Sequence, residues 1–194
     1  MPIKSHHATT IAVLAVQGAF IEHRHRLDSL GASHFEIRKL QDLDKPFDGL
    51  ILPGGESTVQ GKLLKELGLF LPLQKMLQDG LPVLGTCAGA ILLSNNIVGE
   101  GNPYFSTMPI TLERNAYGRQ LGSFFVEENF NNKKIPMTFI RAPKIIKADD
   151  KVEILAKVKD TPVAVKYKKQ IAISFHPELG GSCVVHEYFL SLIK

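Results

Sequence analysis

The first half of the chain alternates short apolar runs with segments whose apolar residues recur at helical spacing. The apolar runs predict strands at 11–16, 35–38, 49–52 and 81–84, and the periodic segments predict helices at 21–30, 58–67, 71–78 and from 90 onward. Strands and helices that alternate in this way are typical of βαβ units. The pattern therefore predicts a parallel sheet with helices on its faces.

From about residue 102 the segments become shorter and alternate apolar with polar positions. They predict strands at 110–113, 123–127, 137–140, 152–158, 163–167 and 171–175, as a mixed or antiparallel extension of the sheet. Helical spacing returns at 185–193 and predicts a closing helix. The chain shows no linker and no internal repeat, so we predict a single domain over 1–194, with residues 1–10 as a flexible leader.

Composition narrows the class of protein. The chain has 194 residues, of which 44% are hydrophobic, so it can bury a sizeable core without disulfides. Its net charge is +4, but basic residues are interleaved with acidic ones throughout, and we expect no nucleic-acid partner. No apolar run is long enough to cross a bilayer, so we expect no membrane association. Two cysteines are too few for a disulfide framework, which favours a reducing, cytoplasmic location.

One of these cysteines stands in an unusual local sequence. The segment Gly85-Thr86-Cys87-Ala88-Gly89 follows the apolar run 81–84 and precedes an apolar helix. Small residues on both sides allow the sharp strand-to-helix turn that exposes a nucleophile at the edge of a sheet. The N-terminus of the following helix favours a thiolate there. The alternative is an inert buried core cysteine.

Two further turns open at the same predicted edge, at 17–18 and 53–57, because the carboxyl ends of parallel strands lie together. Late in the chain, His176-Pro177-Glu178 directly follows a predicted strand. A histidine near Cys87 could act as its base, and a carboxylate on the other ring nitrogen would fix the tautomer. The Gly55 and Ala88 N–H groups could stabilise an oxyanion.

Two other kinds of site are disfavoured. No Walker pattern and no dinucleotide-binding glycine pattern follows any predicted strand, so a phosphate cradle is a poor interpretation of the glycine turn. Cys183 and His186 have no second pair at ligand spacing, so we expect no metal site and no cofactor, and we interpret both as packing or surface residues of the last helix.

Longer motifs resemble a known family. Cys87 in its turn, with His176 and Glu178, resembles the class I (triad) glutamine amidotransferases, which implies a three-layer α/β/α fold whose central, mostly parallel sheet has an antiparallel extension. Within that class the chain is similar to the glutaminase subunit of pyridoxal 5′-phosphate synthase (the PdxT/SNO family). The segments that carry this similarity are Ala15-Val16-Gln17-Gly18-Ala19, Leu52-Pro53-Gly54-Gly55-Glu56-Ser57-Thr58, Glu113-Arg114-Asn115-Ala116-Tyr117-Gly118-Arg119-Gln120, Phe139-Ile140-Arg141-Ala142-Pro143 and Ser174-Phe175-His176-Pro177-Glu178-Leu179.

The resemblance implies hydrolysis of L-glutamine through a γ-glutamyl thioester, with ammonia passed to a separate synthase subunit of the PdxS/SNZ type for vitamin B6 biosynthesis. It implies a catalytic Cys87, His176 and Glu178. It also implies a glutamine site made by Gly54, Gly55, Glu56, Arg114, Ile140 and Arg141. These residue types suit a zwitterion, because an acid binds its ammonium group and an arginine its carboxylate.

The chain departs from the family pattern at two places. Gly122 and Phe125 stand where the family usually has carboxylates, and residues 180–186 lack the usual Asp-x-Arg. Neither change touches the predicted triad, although contacts with a partner could differ. Three alternatives remain open at this point: a triad glutaminase of another biosynthetic pathway, a stand-alone γ-glutamyl hydrolase that uses the same triad, and a catalytically silent binding or regulatory subunit with the same fold.

Overall fold

The structure is a computed structural model that describes residues 9–116 and 123–193. Its strands are β1 (Thr10–Leu14), β2 (Ser33–Ile37), β3 (Gly49–Leu52), β4 (Val83–Thr86), β5 (Ser94–Ile97), β6 (Met108–Glu113), β7 (Ser123–Phe130), β8 (Lys133–Ile140), β9 (Lys144–Ala148), β10 (Glu153–Val158), β11 (Thr161–Tyr167) and β12 (Gln170–Ile173). Its helices are α1 (Phe20–Ser29), α2 (Ser57–Glu66), α3 (Phe70–Gln78), α4 (Ala88–Leu93) and α5 (Val184–Ser191), with a 3₁₀ turn at Leu40–Asp44.

Nine strands form the main sheet, in the order β2-β1-β3-β4-β12-β11-β10-β7-β8. The first five are mutually parallel, and the last four continue the sheet in antiparallel pairs. Strands β3, β4 and β12 are buried along their whole length, because both faces of the parallel part are covered. This explains why they read in the sequence as continuous apolar runs.

Helices cover both faces of this sheet. On one face Leu27 of α1 and Phe189 of α5 pack in a cluster with the β1 side chain of Ile11. On the other face helices α2, α3 and α4 pack in a second cluster, for example Leu64 and Leu92 with other strand residues. The predicted three-layer α/β/α fold with a mostly parallel sheet and an antiparallel extension is confirmed.

The prediction for the second half was wrong in one respect. Strand β6, predicted at 110–113 as part of the extension, pairs instead with β5 and β9 in a separate three-stranded sheet. Its buried positions, such as Ile110, join the cluster on the α2–α4 face. Alternation shows that one face of a strand is buried, but it does not show which sheet the strand joins. Strands β5 and β9 were not predicted, because polar and exposed residues interrupt both: Asn95 and Asn96 in β5, and Lys147 in β9.

The ends of the chain differ slightly from expectation. Residues 1–8 of the predicted leader lie outside the described residues, and its last residue, Thr10, belongs to β1. Within 9–116 and 123–193, no helix combines the length and the hydropathy needed to span a membrane.

Candidate active site

The carboxyl ends of β1, β3, β4 and β12 lie at one edge of the main sheet, because these strands run parallel. The loops that follow them bring Gln17, Gly55, Cys87 and His176 to the wall of one pocket. The predicted convergence of three loops on one rim is therefore confirmed, and the loop after β12 is a fourth. This is the position where open parallel sheets bind their ligands.

Cys87 occupies a tight turn between β4 and α4, with a φ of 49° and a ψ of −103°. A non-glycine residue in such a conformation stores about 1–3 kcal/mol of strain, so the surrounding structure must hold it. Its N–H donates to the Ile173 carbonyl at 2.7 Å. A Cβ on Gly89 would lie 2.7 Å from the Leu52 carbonyl carbon, so α4 can approach β3 only with glycine there. The predicted strand-to-helix turn is confirmed.

Cys87, His176 and Glu178 form a connected series of contacts. His176 hydrogen bonds to the Cys87 side chain, and its Nδ1 lies 2.7 Å from Oε1 of Glu178. Cys87 and His176 are each 7% exposed and line the pocket, whereas Glu178 is buried behind the imidazole. The three predicted triad residues are thus brought together, with His176 between Cys87 and Glu178.

The electrostatics of this series favour a charged imidazole. Burial would by itself lower the pKa of His176, but hydrogen bonds to Cys87 and Glu178 outweigh it and raise the pKa to about 10. Burial would likewise raise the pKa of Glu178, but His23 and His176 outweigh it, and the pKa of this carboxyl lies below its usual range. An ionised carboxylate and a protonated imidazole are therefore the stable forms at neutral pH.

The pocket has a volume of about 180 Å³, smaller than the cavities that bind drug-sized ligands. Five of the predicted glutamine-site residues line it: Gly55, Glu56, Arg114, Ile140 and Arg141. Gly54 lies outside the lining and against the imidazole, since a Cβ on it would come within 2.9 Å of Nδ1 of His176. Ala88, predicted for the oxyanion hole, is likewise outside the lining and begins α4 immediately after Cys87.

Backbone hydrogen bonds hold the glycine turn after β3. The Gly54 carbonyl accepts from the Ala19 N–H at 2.9 Å. A trans peptide directs its C=O and N–H to opposite sides, so the Gly55 N–H points away from Ala19. The side chain of Gln60 donates to the carbonyls of Gln17 and Pro53, at 3.0 and 3.1 Å. The orientation of the Gly54–Gly55 peptide is thus determined by the loop after β1.

Each arginine of the pocket is paired with a glutamate. Arg114 forms an ion pair with Glu100, and it also donates to Tyr104 Oη at 3.1 Å and to Ser57 Oγ at 2.5 Å. At the pocket mouth, Arg141 and Glu56 form an ion pair at 3.4 Å in which both side chains are more than half exposed. Exposed pairs of this kind contribute at most about 1 kcal/mol, so a ligand can exchange with either partner.

Comparison with known proteins gives the family. The sequence profile of the SNO glutamine amidotransferase family matches residues 13–194. The chain belongs to this family. Subunit PdxT of pyridoxal 5′-phosphate synthase from Desulfitobacterium hafniense (strain Y51) is 55% identical over 185 residues, 95% of this chain and 93% of the relative. The same subunit from Haemophilus influenzae (strain PittEE) is 48% identical over 188 residues, 95% of this chain and 98% of the relative.

Solved structures agree with this membership. A crystal structure of a glutamine amidotransferase superposes with a TM-score of 0.89 at 41% identity, covering 94% of this chain and 98% of that one. PurLQS from Thermotoga maritima superposes with a TM-score of 0.68 at 19% identity, covering 96% of this chain and all of that one, and this likeness concerns the fold alone. The resemblance derived from the sequence motifs of the SNO family is therefore confirmed.

The sequence did not predict one buried residue behind the three predicted triad side chains of this family member. His23 on α1 is fully buried, and its Nε2 lies 3.5 Å from Oε2 of Glu178. The only signal for it was a polar residue four positions before the buried Leu27, on the apolar side of an amphipathic helix. Glu100 and Gln60 were missed as well, because neither belongs to a motif with a recognised chemical role.

The remaining site expectations concern metals and the departures from the family pattern. Within 9–116 and 123–193, no group of three or more His, Cys, Asp or Glu residues could hold a metal ion. His186 is fully buried in α5, and Cys183 is half-buried at its start. Gly122 lies outside the described residues, whereas Phe125 is 62% exposed on β7.

Proposed function

We propose that this family member hydrolyses L-glutamine to L-glutamate and ammonia, with Cys87 as nucleophile, His176 as general acid and base, and Glu178 as the group that orients His176. The observation that carries the proposal is the contact series Cys87–His176–Glu178 at the wall of a small pocket that also holds an acid and two arginines. This arrangement is the geometry of a thiol nucleophile activated by a base.

The reaction proceeds in two steps. The Cys87 thiolate attacks the side-chain carbonyl carbon of glutamine, the protonated His176 transfers its proton to the departing nitrogen, and ammonia leaves a γ-glutamyl thioester. Water then attacks the thioester carbonyl while neutral His176 accepts a proton from it. The C–S bond breaks, and the products are glutamate and the original thiolate–imidazolium pair. The high pKa of His176 keeps the imidazole protonated at the start of the cycle, as its proton transfer to the departing nitrogen requires.

Two backbone N–H groups stabilise the oxyanion in this proposal, one from Gly55 and one from Ala88. Gly55 lines the pocket. The hydrogen bond from the Ala19 N–H to the Gly54 carbonyl holds the Gly54–Gly55 peptide so that the Gly55 N–H is directed away from the loop after β1. Ala88 is the first residue of α4, so its N–H has no acceptor within the helix. Each such donor is worth about 2.7–4 kcal/mol to the rate.

Glutamine binds through its zwitterionic end. Glu56 accepts from the ammonium group, and Arg141 releases Glu56 and turns to the carboxylate, which is feasible because their mutual ion pair is exposed and weak. Arg114 contributes a second cation, Gly55 and Ile140 complete the wall, and Gly54 packs outside the lining against the His176 imidazole. Ile140 also presents its backbone carbonyl 4.0 Å from Cys87 Sγ, within reach of the amide nitrogen of a bound substrate.

The ammonia passes to a separate synthase subunit of the PdxS/SNZ type, which builds pyridoxal 5′-phosphate. The support is the name of the 48–55% identical relatives, which are subunits of pyridoxal 5′-phosphate synthase. We place the reaction in the cytoplasm, where Cys87 and Cys183 both remain free thiols.

The test is glutamate release from L-glutamine by the purified chain, with and without the synthase subunit from the same genome. Cys87→Ser should abolish release, and Cys183→Ser is the matched control, because it removes the other cysteine at the start of α5. Turnover that depends on Cys87 and rises with the synthase supports the whole proposal. If turnover depends on Cys87 but does not change when the synthase subunit is added, the glutaminase belongs to another pathway. If no glutamate is released with or without the synthase subunit, the proposed glutaminase activity is refuted.

A further inference from the structure

A pair of buried histidines lies behind the proposed triad. His23 of α1 and His186 of α5 are both 0% exposed, and Nδ1 of His23 lies 2.9 Å from Nε2 of His186. On its other side, Nε2 of His23 lies 3.1 Å from Oγ1 of Thr86 and 3.5 Å from Oε2 of Glu178. Thr86 directly precedes Cys87. The pair therefore connects the closing helix to the carboxylate of the triad.

The two carboxylate oxygens of Glu178 face two different histidines. Oε1 is paired with Nδ1 of His176, and Oε2 is buried without a hydrogen bond of ordinary length. The nitrogen that faces Oε2 is Nε2 of His23, at 3.5 Å. Burying a carboxylate oxygen without a compensating donor is costly, so a proton on this nitrogen would stabilise Oε2.

The hydrogen-bond partners around the two rings determine which nitrogen of each histidine carries the proton. If His23 were protonated on Nδ1, it would donate to His186, and the proton of His186 would sit on its own Nδ1. That atom is buried without a partner, so the arrangement leaves an orphan N–H, and it also points a lone pair of His23 at the carboxylate. In the opposite arrangement His186 donates from Nε2 to His23, and His23 donates from Nε2 towards Thr86 and Glu178. In this arrangement the unpaired Nδ1 of His186 is an acceptor rather than an N–H donor. Leaving an acceptor unpaired there costs less than leaving a buried N–H unpaired and directing a lone pair at the carboxylate.

The same helix also contacts the backbone of Glu178. Nε of Arg26, three residues after His23 on α1, donates to the Glu178 carbonyl at 3.0 Å. Residues three apart lie on the same face of a helix, so one face of α1 holds both the side chain and the main chain of the triad acid. This double attachment indicates a positioning function rather than simple core filling.

We propose that His23, in its Nε2–H form and supported by His186, is a positioning residue that keeps Glu178 ionised and oriented towards His176. His23 touches neither substrate nor Cys87 in this scheme. It acts through Glu178, by opposing the protonation of the carboxylate and by restricting its rotation. The proposal deepens the triad assignment made above and rests on it.

The charged and titratable groups around His23 are few. On α1 they are Glu22 and Arg26, on α5 His186, and after β12 His176 and Glu178. Burial, the largest influence, lowers the pKa of His23, as it lowers that of His186, so both rings are neutral at neutral pH. A neutral pair of histidines supplies one N–H directed at Glu178 without adding a second buried charge beside the carboxylate.

Two substitutions separate positioning from packing. His23→Phe keeps a buried ring but removes the donor, whereas His23→Gln can present an N–H close to the position of Nε2. The first readout is the rate of Cys87 alkylation by iodoacetamide as a function of pH, which reports the thiolate and needs no turnover. The second is the pH profile of kcat and KM for glutamine, measured with the synthase subunit present.

In His23→Phe, we expect the acid limb of both profiles to move up by about one pH unit, because an unsupported carboxylate protonates more easily. We expect kcat to fall about tenfold while KM changes less than about twofold, since no substrate contact is lost. His23→Gln should restore most of both. The proposal is wrong if His23→Phe and His23→Gln both fold and neither shifts the acid limb of the pH profiles. It is also wrong if both variants lose activity equally without such a shift, because His23 would then contribute only packing.

Thr86→Val provides an independent test should His23→Phe fail to fold. Valine has nearly the shape of threonine but cannot accept a hydrogen bond. In this variant Glu178 is therefore the remaining acceptor for the Nε2–H of His23. We expect the acid limb of the alkylation profile to move down, opposite in sign to His23→Phe. An unchanged or upward limb would overturn the proposal. Alkylation with the expected shifts in a chain that releases no glutamate would leave the positioning intact and refute only the glutaminase.

Discussion

Gly54→Ala is the sharpest test of the packing between the glycine turn and the proposed base. A Cβ on Gly54 would lie 2.9 Å from Nδ1 of His176, closer still to Cε1, and 3.4 Å from the Cβ of Cys87. Ordinary van der Waals contacts begin near 3.4 Å, so the Nδ1 contact alone requires a retreat of about 0.5 Å. The closer approach to Cε1 brings the displacement of the imidazole to about 1 Å.

The imidazole cannot make this movement freely. Its Nδ1 is 2.7 Å from Glu178 Oε1, and Glu178 is itself fixed by burial and by Arg26. A misplacement of about 1 Å at a catalytic group costs about 10²-fold in rate, which is about 2.7 kcal/mol of transition-state stabilisation. We therefore expect kcat to fall about 10²-fold, with a smaller change in KM because Gly54 does not line the pocket.

The assay is steady-state glutamate release with the synthase subunit present, accompanied by thermal unfolding of each variant. Gly101→Ala is the matched control, because its Cβ would meet no atom within 4 Å and its backbone is not left-handed. The control should keep wild-type turnover and unfold at the same temperature or slightly higher. A Gly54→Ala variant with turnover within about threefold of wild type would refute the packing argument, since a displacement of about 1 Å predicts a much larger loss.

Three further outcomes are expected. Arg114→Lys should raise KM for glutamine about tenfold or more with kcat less affected, because lysine cannot reproduce the planar contacts to Glu100 and Ser57 that orient the cation; a KM unchanged in initial-rate assays would remove Arg114 from the site. Gln60→Leu should lower the free energy of unfolding by about 2 kcal/mol or more in urea titrations and also reduce kcat, because the Pro53 carbonyl of the glycine turn and the Gln17 carbonyl of the loop after β1 lose their donor. A loss of stability without a loss of kcat would separate the turn from catalysis. His176 binds its proton more tightly in the folded chain, with a pKa of about 10 against 6.5, so its contribution to stability is complete below pH 6.5 and lost as pH rises towards 10. Urea midpoints should therefore fall over that window, and less in Cys87→Ala, where a group that raises this pKa is absent; equal slopes in both proteins would contradict the cited cause.

The sequence alone was sufficient for features that are local. The turn at Cys87 is encoded by the glycines and small residues beside it, and the β3, β4 and β12 strands by continuous apolar runs, so both were predictable. The family motifs extended this to Arg114 and Arg141, which spacing alone could not have brought to one pocket.

Contacts between distant parts of the chain were not predictable in the same way. His23 lies 163 residues before His186, and nothing in the sequence around either residue indicates the other. The second sheet was missed for a related reason, because β5 and β9 pair with β6 across gaps in the chain and carry polar positions that obscure them. Partner choice in sheets and buried polar networks depends on tertiary geometry that periodicity does not contain.

The pairing of β4 with β12 has a consequence for how this enzyme family can vary. Ile173 is the register partner of Thr86 and accepts the N–H of Cys87, and His176 follows three residues later. The spacing of the proposed nucleophile and base is thus set by two adjacent parallel strands, whose separation is fixed at about 4.8 Å by backbone hydrogen bonds. Loops that do not pack against Cys87 or His176 can lengthen, shorten or exchange residues without changing that distance. New specificity is therefore accessible to this scaffold at little risk to its chemistry.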